Sequence, residues 1–212
     1  MKTCIVFDLD GTLLNTLEDL LDATNYALRA YGYPERTLAE LRRFVGNGAA
    51  NQIRMSLPEG TPEETVQQVL SAYKPYYTAH CQVKTRPYEG IPEALAALSQ
   101  KCSIAIVSNK PDAAVKALCA EYFPGVFALG EVPGCPRKPA PDMVYQALAA
   151  TGAEKGIYVG DSEVDVVTAR NAGMPCVSVL WGFRDRADME AVGGSVYCEQ
   201  PCGLPACIEG LL

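Results

Sequence analysis

The sequence is poor in histidine, with His80 as its single example among 212 residues. This scarcity excludes a metal site built on two histidine ligands and argues against Ser-His-Asp or Cys-His nucleophilic catalysis. His80 itself lies in the run Tyr-Thr-Ala-His-Cys, near the expected end of a helix. We expect a surface or capping histidine there rather than a catalytic one.

Long apolar runs and an excess of positive charge are also missing. No apolar stretch approaches the roughly 20 residues that a membrane-spanning helix needs, and the formal net charge is -7. Because an acidic chain is a poor partner for nucleic acid or an anionic membrane, we expect neither as a partner. An anionic substrate must then be held locally, by a metal ion or a few basic side chains.

The nine cysteines lack the spacing of a disulfide framework or a zinc site. They are odd in number and scattered, and Cys198, Cys202 and Cys207 have neither a Cys-x-x-Cys pair nor a nearby histidine. Free thiols in a reducing compartment are the simplest interpretation. Residues 1–3 lead directly into an apolar run without a secretory signal. We therefore expect a cytoplasmic protein.

Short apolar runs separated by helical patterns predict an α/β fold with a Rossmann-like parallel sheet. The runs that predict strands are residues 3–7, 103–107, 156–159, 176–180 and, more weakly, 126–129. Residues 16–80 interrupt this alternation, because they show helical periodicity and no convincing strand. We expect an α/β core made of residues 1–15 and 81–212, with residues 16–80 inserted as an all-helical cap.

The first predicted strand ends in Phe-Asp-Leu-Asp-Gly-Thr, residues 7–12. In an extended chain, Asp8 and Asp10 point the same way and can converge on one cation or one phosphorus atom. Gly11 allows a tight turn close to a ligand, and Thr12 adds a hydroxyl. The alternative interpretation is a strand followed by an ordinary Asp-Gly turn.

Polar side chains also follow the next predicted strands. Residues 103–107 lead into Ser108, Asn109 and Lys110, and residues 156–159 lead into a Gly-Asp-Ser segment. Ligands of open parallel sheets bind beyond the carboxyl ends of the strands, so we expect these groups at one rim. Each has an ordinary alternative, since Ser and Asn cap helices and Asp161 suits a turn.

This set of groups fits phosphoryl transfer. Mg²⁺ prefers carboxylate oxygens, which Asp8 and Asp161 can supply, and a carboxylate can itself attack phosphorus. Ser108 and Lys138 are suitable donors to the phosphoryl oxygens, although a lysine before a proline is by default a solvated charge. Asp10 is placed to protonate the leaving oxygen and to activate water.

The four segments resemble the motifs of the haloacid dehalogenase superfamily of Mg²⁺-dependent phosphatases. The matching segments are Phe-Asp-Leu-Asp-Gly-Thr-Leu at 7–13, Val-Ser-Asn-Lys-Pro at 107–111, Lys-Pro at 138–139 and Gly-Asp-Ser-Glu-Val-Asp at 160–165. The helical insert resembles the cap of that superfamily's first subclass. The resemblance covers the whole chain and implies a phosphatase that acts on a small phosphorylated metabolite.

The resemblance implies a role for each motif residue. Asp8 would be the nucleophile, and Asp10 the acid/base with its carbonyl on Mg²⁺. Asp161 would be a metal ligand, and Asp165 would support the metal site through water or Lys138. Lys138 would join the catalytic set and bind phosphate. The residues expected to contact phosphate or substrate are Gly11, Thr12, Arg43, Asn47, Ser108, Asn109 and Lys110.

Residues 44–49, Phe-Val-Gly-Asn-Gly-Ala, are similar to a segment of phosphoglycolate phosphatases, which makes 2-phosphoglycolate the first choice of substrate. Gly46 and Gly48 would let a cap loop lie close to substrate, with Asn47 as a donor. Arg42 and Arg43 would offer charge to a substrate carboxylate. A turn between helices with two solvated arginines is an equally open interpretation.

Other functions stay open within this fold. They are a pyrophosphatase, a nucleotide or sugar phosphatase, a phosphomutase, and a relative that binds phosphometabolites without catalysis. Retention of Asp10 disfavours a dehalogenase, and the helical insert disfavours a signalling receiver domain. We expect a monomer or weak dimer. We interpret residues 181–184, Trp-Gly-Phe-Arg, as a loop with a packed tryptophan rather than as part of the site.

Overall fold

A computed structural model describes residues 2–212, which form a parallel α/β sheet with a group of four helices inserted after its first strand. The strands are β1 Thr3–Phe7, β2 Leu14–Asn15, β3 Arg86–Pro87, β4 Ser103–Pro111, β5 Phe127–Glu131, β6 Lys155–Gly160, β7 Cys176–Val179 and β8 Val196–Cys198. The helices are α1 Leu17–Ala30, α2 Leu38–Phe44, α3 Ala49–Ser56, α4 Glu63–His80, α5 Ile91–Ser99, α6 Asp112–Tyr122, α7 Asp142–Thr151, α8 Glu163–Asn171, α9 Arg186–Glu190 and α10 Leu204–Glu209.

The main sheet has the strand order β5-β4-β1-β6-β7-β8, and its pairs are parallel. The central strand β1 pairs Phe7 with Ile106 of β4 on one side and with Val159 of β6 on the other. All five residues of β1 are buried, as expected for a strand covered on both faces. This register brings the segments that follow β1 and β6 to the same edge as the last residues of β4, which runs on through Ser108, Asn109 and Lys110 beyond the predicted end at residue 107. The predicted fold class is confirmed.

Helices α1 to α4 make up the inserted segment, which we call the cap. Helix α1 buries one side, including Leu20 and Leu28, but leaves Tyr26 about 40% exposed, as is Tyr31 directly after its last residue. Helix α4 continues through Pro75 and ends at His80, so the proline does not end the helix. No helix within residues 2–212 is long and apolar enough to cross a membrane.

The cap is joined to the core by a short antiparallel ladder. Strands β2 and β3 pair Leu14 with Pro87 and Asn15 with Arg86. Beside them, the buried carboxylate of Asp19 accepts hydrogen bonds from the backbone N–H groups of Lys84 and Thr85 at 2.9 to 3.0 Å. The chain therefore leaves and re-enters the core at one place. The predicted domain boundaries stay predictions.

Candidate active site

The rim of the sheet is centred on Asp8, the first residue after β1. Its backbone N–H donates to the carbonyl of Val159, which keeps the chain in register beyond the strand. Lys138 places its Nζ atom 2.7 Å from Asp8 Oδ1 and 2.8 Å from Asp165 Oδ1. The same ammonium donates to the hydroxyl of Tyr158 at 3.0 Å. All of these side chains are buried.

Burial and the neighbouring charges together set the pKa values of Asp8 and Lys138. Burial raises the pKa of Asp8 to about 7, with Asp165 and Asp10 adding to the shift and Lys138 opposing it. Burial alone would lower the pKa of Lys138, but Asp165 and Asp8 outweigh burial and hold that pKa well above its ordinary value. The lysine is therefore a fixed cation, while Asp8 exists close to the balance between its protonated and ionised forms.

Asp161 follows β6 and is held from two sides. Its Oδ1 accepts from the hydroxyl of Thr12 at 3.3 Å, and its Oδ2 accepts from the backbone N–H of Phe183 at 2.6 Å. Gly11 and Gly182 pack so closely that a Cβ atom on either would lie 2.3 Å from an Asp161 side-chain atom. Gly11 also has φ +85°, so a side chain there would be both strained and obstructed.

The donor set here suits a hard divalent cation. Asp8, Asp161 and Asp165 are buried, and one carboxylate oxygen from each lies within 4.8 Å of the others. Burial raises the pKa of Asp161 well above its ordinary value, with Asp165 and Asp8 adding to the shift. Asp8 and Asp165 share the ammonium of Lys138, whereas Asp161 accepts from Thr12 and the N–H of Phe183, so one ammonium contacts a group of three carboxylates. Oxygen ligands and uncompensated charge are what Mg²⁺ binds in proteins.

Asp10 faces a different set of partners. Its Oδ1 accepts from the Thr16 hydroxyl at 2.5 Å and lies 2.8 Å from Lys110 Nζ, and its Oδ2 accepts from the Ser108 hydroxyl at 3.4 Å. Lys110 also donates to the Tyr77 hydroxyl of α4 at 2.5 Å. The structure thus places Lys110 between the predicted acid/base and the cap.

Asn109 bridges the core and the cap. Its Nδ2 donates to the carbonyl of Lys138 at 2.9 Å and to the carbonyl of Gly46 at 3.1 Å. Its buried Oδ1 has no partner among the described residues. Asn109 is thus held by backbone carbonyls from both units at once.

A small cleft lies between these groups and the cap. On the core side its lining includes Asp8, Asp10, Ser108, Asn109, Lys110 and Asp161. On the cap side it includes Leu20, Val45, Gly46, Gly48, Ala49, Gln52 and Tyr73. The space left at its centre is about 40 Å³, enough for about three water molecules. The cap is therefore closed over the rim.

The cap residues that were predicted to lie near the substrate differ in where the structure places them. Gly46 and Gly48 line the cleft, whereas Asn47 is half-buried and Arg43 is exposed, and neither contributes to the lining. Arg42 donates to the Gly182 carbonyl at 3.1 Å. The contact roles of Arg43 and Asn47 stay predictions.

Some residues of the site were not predicted. Phe183 and Arg184 line the cleft, so residues 181–184 belong to the rim of the site against our expectation, while Trp181 packs against the core as expected. Tyr158 lies in a predicted strand, and the sequence did not identify it as a residue of the site. The signal at 181–184 was its position after a strand of the same sheet, where the rim residues of parallel sheets arise.

The comparison with known proteins agrees with the geometry of the site. Residues 5–179 match the family model described as haloacid dehalogenase-like hydrolase. The chain belongs to that family. The match spans the segments that follow β1, β4 and β6, and it confirms the predicted family.

Relatives of this hydrolase share nearly its full length. A phosphoglycolate phosphatase of Rhodobacter capsulatus is 33% identical and aligns over 99% of this chain and 98% of its own. One from Mesorhizobium japonicum is 35% identical over 87% of this chain and 86% of its own. The protein in a crystal structure from Lactobacillus delbrueckii subsp. bulgaricus is 37% identical in sequence to this chain. The two structures superpose with a TM-score of 0.91 over 98% of each chain. The predicted class of enzyme, a phosphatase, is confirmed.

Proposed function

We propose that this hydrolase is a Mg²⁺-dependent phosphomonoesterase that forms an aspartyl phosphate on Asp8 and prefers 2-phosphoglycolate. The observation that carries this proposal is the buried contact of 2.7 Å between Lys138 Nζ and Asp8 Oδ1, beside Asp161 and Asp165. A nucleophile, a cation for the phosphoryl oxygens and a set of metal ligands occur together. That combination is what phosphoryl transfer to a carboxylate requires.

The carboxylates of Asp8 and Asp161, with the backbone carbonyl of Asp10, would hold the metal ion. When bound, Mg²⁺ supplies positive charge that draws in the phosphate and stabilises the charge of the transition state. Asp165 contacts Lys138 and the N-terminus of α8, where Ser162 donates to it from both its N–H and its hydroxyl. Asp165 thus supports the site from behind.

The chain's own residues can carry both chemical steps. In the first, a carboxylate oxygen of Asp8 forms a bond to phosphorus while the bond from phosphorus to the ester oxygen breaks. Lys138 and the Ser108 hydroxyl orient the phosphoryl oxygens. Asp10, protonated, gives its proton to the departing oxygen.

In the second step, the ionised Asp10 takes a proton from water, and the water oxygen attacks phosphorus. The bond from phosphorus to Asp8 breaks, which releases inorganic phosphate and restores the carboxylate. The closed cap limits the access of bulk water to both steps. Asp10 therefore serves first as an acid and then as a base.

The choice of substrate rests on the relatives of this chain. The curated relatives named above are phosphoglycolate phosphatases. A cytoplasmic location and a monomeric or weakly dimeric state remain predictions.

The test is phosphate release from a panel of substrates, each measured with Mg²⁺ and with chelator. The panel contains 2-phosphoglycolate, pyrophosphate, sugar phosphates and nucleotides. We expect chelator-sensitive turnover with 2-phosphoglycolate as the preferred substrate. A different preferred substrate would overturn the substrate assignment alone. Absence of turnover on the whole panel by folded protein would point to a phosphomutase or a non-catalytic binder.

A further inference from the structure

Arg184 reaches from the core into the cap and binds the end of a cap helix. It follows β7, and its guanidinium donates from Nη1 to the carbonyl of Arg42 at 2.7 Å. Its Nη2 donates to the carbonyls of Val45 at 2.6 Å and Arg43 at 3.2 Å. Its Nε donates to the carboxylate of Glu163 at 3.1 Å. The side chain is only 11% exposed.

These carbonyls are the ones that a helix cannot satisfy by itself. The last turn of a helix leaves its C=O groups without partners inside the helix and carries partial negative charge. Helix α2 ends at Phe44, and Arg184 supplies both the missing donors and a positive charge there. The end of α2 is thus completed by a residue of the other unit, and only while the cap lies on the core.

The turn that follows α2 lies over the cleft. Val45 follows the last residue of α2, and residues 46–48 form the turn that leads into α3. Gly46 and Gly48 of this turn line the cleft. The turn is also held from the core by the Asn109 amide at Gly46. In the opposite direction, Arg42 of α2 donates to the carbonyl of Gly182. The contacts of Arg184 therefore fix the wall of the cleft that faces the phosphate-binding groups.

The loop that carries Arg184 is attached at its other end to the predicted metal site. The N–H of Phe183 donates to Asp161 Oδ2 at 2.6 Å, and the indole of Trp181 donates to the carbonyl of Thr12 at 3.0 Å. The four residues 181–184 thus join the core motifs directly to the cap. Since the closed cleft has little free space, the cap must move outward to admit substrate, and the contacts of Arg184 must break and re-form in each cycle.

We propose that Arg184 is a positioning residue that holds the cap closed and sets the turn 46–48 against the substrate. It acts through the carbonyls at the end of α2 and not by contact with the reacting atoms. The proposal rests on the proposed phosphatase reaction only for its kinetic consequence. The position of the turn is a property of the ligand-free protein and is measured separately.

The first measurement is hydrogen exchange of the ligand-free protein. In R184A, we expect the amides of residues 45–52 to exchange about tenfold faster or more, because the cap end loses charged hydrogen bonds. Amides of β1 and β4 should exchange as in the wild type. R186A is the matched control, since Arg186 lies two residues on, pairs with Glu190 on the surface and contacts no cap residue among the described contacts. Unchanged exchange of residues 45–52 in R184A, or an equal rise in R186A, would overturn the proposal.

The second measurement separates closure from mere loss of folded enzyme. With 2-phosphoglycolate, R184A should lose about tenfold or more in kcat/KM, with a clear rise in KM, since the cap closes less firmly over substrate that has already bound and the complex dissociates more readily. Loss of folded enzyme would lower kcat and leave KM unchanged, and that result would count against the proposal. If R184A does not fold, R184K replaces it, because an ammonium cannot reproduce the planar set of donors. If the wild type shows no phosphatase activity, the proposed function fails while the exchange result still decides the role of Arg184.

Discussion

The ammonium of Lys110 lies 2.8 Å from Asp10 Oδ1 and 4.4 Å from the centre of the Tyr77 ring. Lys110 and Tyr77 are almost fully buried, and Asp10 is 11% exposed at its side chain. A core lysine predicted to contact the substrate is thus paired with the predicted acid/base and with a tyrosine of the cap. The pair links the position of α4 to the orientation of the Asp10 carboxylate.

Substitution of Lys110 by methionine should be strongly destabilising. It leaves the Asp10 carboxylate largely buried without its cation, and breaking a buried pair in this way costs about 3 kcal/mol or more. Urea unfolding monitored by circular dichroism measures the loss. The control is Lys101→Met, which removes an exposed pair with Glu209. Similar stability of the two variants would show that the buried pair has no special weight.

Substitution of Asp8 by asparagine should abolish turnover while the fold remains. The amide is close in shape to the carboxylate and can still accept from Lys138, but it cannot form the aspartyl phosphate. We expect kcat to fall by about a thousandfold or more, as for loss of other nucleophiles. Phosphate release and a thermal melt of the same sample provide the two readouts. Turnover near the wild-type rate would show that another group attacks phosphorus.

Asp10→Asn and Asp161→Asn should differ in how they affect metal binding. Asp161 offers its side chain to the predicted metal site, whereas Asp10 offers its backbone carbonyl, which the substitution leaves in place. We expect Asp161→Asn to weaken Mg²⁺ binding by about tenfold or more, and Asp10→Asn to weaken it much less while losing most turnover. Titration calorimetry with Mg²⁺ measures metal binding by the two variants, and phosphate release measures their turnover. Equal weakening would contradict this division of roles.

The raised pKa of Asp8 predicts a pH-dependent difference in stability between the wild type and Asp8→Asn. Burial raises this pKa from an ordinary 3.8 to about 7, so the folded protein binds the proton more tightly than the unfolded chain. The stability that this proton contributes is complete below about pH 4 and is lost as the pH rises through about 7. In chelator, the melting temperature of the wild type should therefore fall relative to that of Asp8→Asn as the pH rises from about 4 to about 7.

Mg²⁺ should cancel the relative gain of the variant, because metal binding requires ionised carboxylates and stabilises the folded wild type more than Asp8→Asn, which lacks one carboxylate ligand. Melting curves at several pH values, with chelator and with Mg²⁺, provide the measurement. A difference that does not change with pH would show that Asp8 is ionised throughout the range.

The sheet was predictable because each of its longer strands appears in the sequence as a short run of apolar residues. The apolar run 3–7 was predicted with the bounds it has in the structure, and the run 103–107 begins where β4 begins. The edge strand β8 has three residues and helix α9 has five, and elements this short carry too little periodicity to be recognised.

The place of a candidate residue at the rim was predictable where the residue lies at or near a strand end, as for Asp8 after β1 and Ser108 in the last part of β4. It was not predictable where a residue acts through a partner far away in sequence. Tyr158 reads as one more apolar strand residue until Lys138 is placed beside its hydroxyl. Arg184 likewise meets Arg42 across 142 positions, and no local pattern reports such a contact.

Trp181, the chain's single tryptophan, lies in the loop between the predicted metal site and the cap. Its indole donates to Thr12, and its ring makes an edge contact with Tyr88 at 6.5 Å between centroids. The protein therefore carries its one tryptophan fluorophore at the place where opening and closing are expected to change the surroundings. Stopped-flow emission from unlabelled enzyme can follow the movement in real time, with no background from a second tryptophan.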